Sequence, residues 1–214
     1  MLIDGRRVRD GTVMRGDVCI IGSGAAGITI ARDLMRTRAN VILLESGGFE
    51  PDARTSELND GVIVGEALDP RAPLRLADTR LRYFGGTTNH WSGYCRPLEP
   101  GDMEARPHIH DSGWPITRAE LDPWYRLAHD VLQLGPFEYD PAYFEAQRGS
   151  GLPLIANERF ETSLYHIHGL HFGEEYRSEL VGARNVQVSL WSNVTRISLS
   201  PDGGRVVGVD VAAL

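Results

Sequence analysis

Residues Asp17 to Gly27 read D-V-C-I-I-G-S-G-A-A-G. The apolar, β-favouring run Asp17 to Ile21 leads straight into a glycine cluster, which predicts a strand buried on both faces, as in a parallel sheet. From Ala25 to about Arg38 the residues suit a helix, with Ile28, Ala31 and Met35 on one face at spacings of three and four. A second apolar run, Val41 to Leu44, ends in Glu45, Ser46, Gly47 and Gly48. The first 48 residues are expected to form a βαβ unit, which places the chain in the α/β class.

Gly22, Gly24 and Gly27 supply G-x-G-x-x-G. The bare pattern is common, but here it follows a strand and opens a helix, and Glu45 stands 18 positions beyond Gly27, close to the expected ~20. Gly22 permits a tight turn, Gly24 lets backbone approach a pyrophosphate, and Gly27 lets the helix pack on the strand. Free N–H groups at the helix start, over Ser23, Ala25 and Ala26, would face the phosphates. Glu45, with Ser46 beside it, can accept from a ribose, and an acid there disfavours a 2′-phosphate. The plainer reading is a strand-to-helix turn followed by a solvated carboxylate.

Residues 49–110 lack sustained periodicity and are rich in Gly, Pro, Asp and Arg, which predicts loops on a scaffold. Thr117 followed by Glu120 predicts a capping box opening a helix that runs through Leu121, Trp124 and Tyr125 to Leu132, with Pro123 tolerated near its start. Val186 to Trp191 reads as a strand. Val194 to Leu199, P-D-G-G and V-V-G-V-D-V read as a hairpin with an Asp-Gly turn.

Length and composition narrow the classes. The chain has 214 residues, 42% hydrophobic and 24% charged, which is enough for a real core and not a disordered composition. A net charge of −7 offers no basic footprint for nucleic acid or an anionic membrane, so a small molecule is the expected partner. Cys19 and Cys95 do not make a disulfide framework or zinc spacing. No apolar run approaches a membrane span and no signal-like segment opens the chain, so a cytoplasmic location is expected. His166, His168 and His171, with His108 and His110, lack an accompanying carboxylate pattern, so no metal is expected. Trp91 and Trp114 read as packing residues.

The segment Leu81 to Leu98, L-R-Y-F-G-G-T-T-N-H-W-S-G-Y-C-R-P-L, separates FAD from NAD. With I-G-S-G-A-A-G and L-E-S-G-G it resembles the glucose-methanol-choline (GMC) oxidoreductases, in the branch of pyranose oxidase and choline dehydrogenase-like flavoproteins. D-S-G-W-P-I (Asp111 to Ile116), F-G-E-E-Y-R-S-E-L (Phe172 to Leu180) and S-N-V-T-R-I (Ser192 to Ile197) are similar to the same branch, so the resemblance spans nearly the whole chain.

The resemblance implies a Rossmann-like FAD-binding domain with a parallel sheet, a β-hairpin or meander and long loop insertions. It implies that Gly85 and Gly86 bring backbone close to the flavin, that Thr87, Thr88, Asn89, His90, Trp91 and Ser92 line one side of the ring system, and that Val194 lies against the adenine. In pyranose oxidases the histidine of a similar S-T-H-W run is bonded to the flavin C8 methyl. His90 is its counterpart, preceded here by Asn89 rather than Thr, and either covalent attachment through His90 or a non-covalent place near the dimethylbenzene edge is compatible with that.

The implied reaction is oxidation of a CH–OH group of an alcohol or sugar, with hydride passing to flavin N5 and a base taking the hydroxyl proton. In the family that base is a histidine of the C-terminal half, and no segment here matches it, so the catalytic residue is unknown. The family's domain also has a later parallel strand beside the first one. The expectation is an incomplete FAD-binding domain over 1–214, with an insertion region at 49–180, no C-terminal substrate domain, and a second chain as one way of completing it. Two rivals are a catalytically inactive FAD-binding or partner-binding module and a nicotinamide dehydrogenase; the second motif argues against the latter. Substrate and electron acceptor are not readable.

Overall fold

The computed structural model describes residues 1–65, 75–149, 151, 154–157 and 159–214. The loop reading of residues 66–74 lies outside the described residues. In chain order the elements are β1 (Leu2–Asp4), β2 (Val18–Ile21), α1 (Ala25–Leu34), β3 (Val41–Leu44), α2 (Ala53–Glu57) and α3 (Leu76–Thr79). A 3-10 turn covers Gly86–Asn89, followed by β4 (Tyr94–Cys95), α4 (Pro100–Met103), α5 (Arg118–Leu132), α6 (Pro141–Arg148) and β5 (His166–Ile167). Then come α7 (Phe172–Glu175), α8 (Arg177–Gly182), β6 (Val186–Leu190), β7 (Asn193–Leu199) and β8 (Val206–Ala212). They divide into two units, Met1–Trp91 with His171–Leu214, and Ser92–Leu170.

The first unit is built on a four-stranded parallel sheet in the order β1-β6-β3-β2. β3 lies inside it, and its four residues Val-Ile-Leu-Leu are all buried, which is why that run carries no polar alternation. Ile28 and Ala31 of α1 and Leu180 of α8 are fully buried, as are Val41, Leu43 and Val188. Each large apolar side chain so buried contributes about 1.5–3 kcal/mol. Asn185 holds the lower end together, because its amide donates to the carbonyls of Leu34, Thr37 and Ala39 at 3.1, 3.3 and 2.9 Å.

β2 departs from the expectation of a strand buried on both faces. It is the last strand of the sheet, hydrogen-bonded to β3 alone among the described residues, and Cys19 and Ile21 are exposed. The helix after it also ends at Leu34, a turn earlier than the periodicity suggested.

β7 and β8 form the expected antiparallel hairpin, and Asp202 accepts from the Gly204 N–H in its turn. In the second unit α5 starts as expected: Thr117 and Glu120 form a reciprocal capping box. His129 is the one buried residue of that helix, 4% exposed. Its Nε2 lies 2.8 Å from the Tyr139 hydroxyl, and its ring packs edge-on against Phe137, Tyr139 and His166. β4 and β5 pair beside this cluster, Cys95 opposite His166. No helix of the described residues is long and apolar enough to cross a membrane.

Candidate cofactor site

The turn from β2 into α1 has the geometry its glycines suggested. Gly22 sits at φ +91°, and its N–H donates to the Leu44 carbonyl at 2.8 Å, tying the turn to β3. A Cβ on Gly27 would overlap the Gly22 carbonyl oxygen and crowd Ile20, so no larger residue fits between helix and strand. In contrast, a Cβ on Gly22 or Gly24 would meet nothing within 4 Å. Gly24 caps α1 without a side-chain hydrogen bond. An uncapped helix N-terminus beside open space suits an anionic group.

Glu45, at the end of β3, is 5% exposed. Its Oε2 accepts from the Ser23 N–H at 2.9 Å and the Ser23 hydroxyl at 2.5 Å, and its Oε1 from the Gly47 N–H at 3.1 Å and the Ser46 hydroxyl at 3.2 Å. These four bonds use about all the acceptor sites of a carboxylate. Glu45 therefore shapes the glycine turn itself, and any further donor that reached it would have to displace the Ser23 or Ser46 hydroxyl.

The second motif folds back onto the first. The Phe84 N–H donates to the Gly48 carbonyl and the Gly85 N–H to the Ser23 carbonyl, both at 2.9 Å. Gly85 has φ +101°, a conformation glycine adopts without the cost a Cβ brings. A Cβ on Gly86 would lie 3.1 Å from Gly24 Cα, so the two glycine turns touch main chain to main chain. Thr88 is buried and its hydroxyl donates to the Gly85 carbonyl at 2.7 Å, whereas Thr87 and His90 are exposed. Trp91 is half-buried; Ser92 belongs to the second unit, where it is exposed.

A third segment borders Glu45. The Ser192 N–H donates to the Glu45 carbonyl at 2.8 Å, and the Trp191 N–H to Gly47 at 3.0 Å, with Trp191 itself in the left-handed region at φ +55°. Val194 follows at the start of β7, half-buried and paired with Val211. Between them, both polar atoms of the Asn193 amide are buried with no hydrogen-bond partner among the described residues. Sequence reasoning singled out Val194 and passed over Asn193, because an asparagine at a strand start carries no local signal of being unsatisfied. The structure thus brings Gly22 to Gly27, Glu45, Ser46 and Gly85 to Asn89 together, with Val194 on the adjoining strand.

The description "FAD dependent oxidoreductase" matches residues 17–212. The chain belongs to this family. Its cofactor is FAD. The open glycine turn, the uncapped start of α1 and the orphaned Asn193 amide fit such a group. As curated relatives, the oxidoreductase matches 6'''-hydroxyparomomycin C oxidase of Streptomyces lividus, 30% identical over 125 residues, which is 52% of this chain and 22% of the relative. It also matches paromamine 6'-oxidase of Streptomyces fradiae, 30% identical over 129 residues, 55% of this chain and 22% of the relative. Among solved structures, pyridoxine 4-oxidase from Mesorbium loti superposes with a TM-score of 0.53 at 23% identity, over 93% of this chain and 46% of that one. That likeness shows the fold, an α/β FAD-binding domain of Rossmann type. The chain thus spans about half the length of the solved neighbour and aligns with about a fifth of each curated relative.

Two of the histidines that the sequence grouped, His166 and His168, are engaged within the second unit. His166 Nε2 donates to the Glu138 carbonyl at 2.8 Å and His168 Nδ1 to the Leu132 carbonyl at 2.9 Å. Among the described residues no group of three or more His, Cys, Asp or Glu could hold a metal ion.

Proposed function

We propose that this chain is the FAD-binding N-terminal part of a GMC-type oxidoreductase acting on CH–OH groups of an alcohol or sugar. The observation that carries the reading is the bond from Gly85 to Ser23, which sets the G-G-T-T-N-H-W turn directly on the dinucleotide turn. A flavin needs both: one edge for its phosphates and ribose, another for its ring. Relatives named for oxidation of paromamine and of 6'''-hydroxyparomomycin C support a hydroxylated, sugar-like substrate.

On this reading Gly22 to Gly27 and the start of α1 hold the pyrophosphate, Glu45 and Ser46 the ribose, and Val194 the adenine. Thr87 and His90, both exposed on the 3-10 turn, are the side chains free to meet the ring, and His90 is the candidate for covalent attachment. When bound, FAD supplies the hydride acceptor. The chain's own part is to fix that group against main chain, with no room for a Cβ at Gly27 or Gly85. Residues 49–180 would serve as the insertion region of this domain. The exposed apolar edge of β2 favours a further parallel strand there, contributed by more of the same polypeptide or by a second chain.

The test is the visible spectrum of the purified chain before and after acid precipitation, with flavin counted per polypeptide, then dye-linked turnover of primary alcohols and sugars. Stoichiometric flavin is the expected result, and turnover is expected only where a catalytic base is supplied beyond these residues. Flavin retained in the acid pellet, and lost in His90→Ala, would assign covalent attachment. A chain that takes up no FAD on reconstitution would sink the reading.

A further inference from the structure

We infer that Asn89 is a positioning residue for the flavin-facing turn, acting through Gly173 and Phe84 rather than by touching the cofactor. The inference rests on the reading that this turn faces the flavin. Its starting point is the segment Phe172 to Leu180, which the sequence marks and no cofactor contact uses.

Gly85 and Gly173 face each other so closely that a Cβ on Gly85 would stand 2.6 Å from Gly173 Cα, and one on Gly173 would overlap the Phe84 carbonyl oxygen. The Asn89 amide closes this junction. Its Nδ2 donates to the Phe84 carbonyl at 2.8 Å, and its Oδ1 accepts from the Gly173 N–H at 3.2 Å. One side chain thereby satisfies a carbonyl within its own turn and an N–H 84 residues away.

The wall behind Gly173 is fixed. Phe172, Tyr176 and Leu180 are buried. The Arg32 guanidinium from α1 lies 3.8 Å over the Tyr176 ring and pairs with Glu179 at 2.7 Å, while Arg177 lies 4.4 Å over Phe49. Asn89 therefore ties a turn that contains two left-handed glycines to a rigid support. Such a turn is otherwise costly to hold in one conformation.

The 3-10 geometry converts that tie into an orientation. With about three residues per turn, side chains three apart share a side. Gly86 and Asn89 share the inward side, Thr87 is exposed, and His90, which caps the turn, is tied to it by its N–H to the Thr87 carbonyl at 3.2 Å and is exposed as well. Fixing Asn89 fixes the direction in which His90 is presented.

The test uses the full chain with Asn89→Asp and the milder Asn89→Ser. Asp keeps an acceptor for Gly173 but sets a carboxylate oxygen against the Phe84 carbonyl. In the cofactor-free chain, hydrogen exchange over Phe84 to Trp91 should quicken at least tenfold in Asn89→Asp while Val41 to Leu44 stays unchanged. With FAD, the variants should bind at least tenfold more weakly, and the flavin they do hold should show an altered visible spectrum and reduction potential. Bound-flavin spectrum and potential at wild-type values, with only the melting temperature lowered, would overturn the inference, as would unchanged exchange. A wild-type chain that binds no FAD but shows the exchange difference would strike the cofactor reading and leave the Asn89–Gly173 link standing.

Discussion

The main-chain N–H of Gly85 donates to the carbonyl of Ser23 at 2.9 Å, and Ser23 in turn gives both its N–H and its hydroxyl to Glu45. Three segments far apart in sequence thus meet at one serine: the glycine turn, the end of β3 and the second glycine motif. Main chain supplies most of the joint, which is why its geometry depends on what is absent at Gly27, Gly85 and Gly86 as much as on what is present at Glu45.

Gly27→Ala should unfold or severely weaken the first unit. The added methyl has nowhere to go, since the Gly22 carbonyl oxygen occupies its place and Ile20 Cγ2 would lie 3.3 Å away. A loss of about 3 kcal/mol or more is expected from urea denaturation, the size of an overpacked core site. A variant within experimental error of wild type would contradict the close helix–strand contact.

Glu45→Gln should cost about 2 kcal/mol and weaken FAD binding at least tenfold. One of its two oxygens becomes an NH2 group, which cannot accept, so two of the four donors around it lose their partner. Isothermal titration with FAD and thermal melting read the two effects separately.

Acid should destabilise the second unit through His129. The buried ring takes a hydroxyl hydrogen from Tyr139 at Nε2 and gives its Nδ1–H to the Gly135 carbonyl, so the neutral form is satisfied as it stands. Burial is the main cause that holds its pKa below the ordinary 6.5, with His166 and Arg126 acting in the same direction and Gly135 and Asp130 against it. The Tyr139 phenol, pushed up to about 12 chiefly by burial and then by Cys95, stays protonated and keeps donating. Because the folded pKa is depressed, the unfolded chain takes the proton first. Stability is then full above the ordinary value and falls as pH drops from there toward the folded pKa. Urea midpoints followed by Trp114 and Trp124 fluorescence should decrease between about pH 7.5 and about pH 5.5. His129→Gln should flatten that slope while costing about 2 kcal/mol at neutral pH.

Asn185→Ala should lower stability by about 1–2 kcal/mol, since it removes the amide donor shared by the Leu34, Thr37 and Ala39 carbonyls, of which Leu34 keeps the Thr37 N–H and hydroxyl. The measurement is a urea melt, and an Asp substitution, which cannot donate to a carbonyl, should recover none of the loss.

The sequence by itself determined the βαβ unit, the capping box at Thr117 and the hairpin turn at Asp202, because each is written in contiguous residues whose local chemistry admits one answer. Gly22, Gly24, Gly27 and Glu45 were legible for the same reason: a strand, a turn and a helix in register leave few places for them. The second motif was legible as a resemblance, but not its mechanics. Only the tertiary structure decided that Thr88 and Asn89 turn inward while Thr87 and His90 stay exposed, since that depends on Phe84 and Gly173, one of them 84 residues from Asn89. It also decided that Glu45 is consumed by Ser23, Ser46 and Gly47, and that Asn193 is left without a partner among the described residues. The apolar run Val18 to Ile21 shows the limit most clearly. Its composition specifies a strand, but the exposure of Cys19 and Ile21 is set by which other segments cover and pair with it, and among the described residues β3 alone pairs with it.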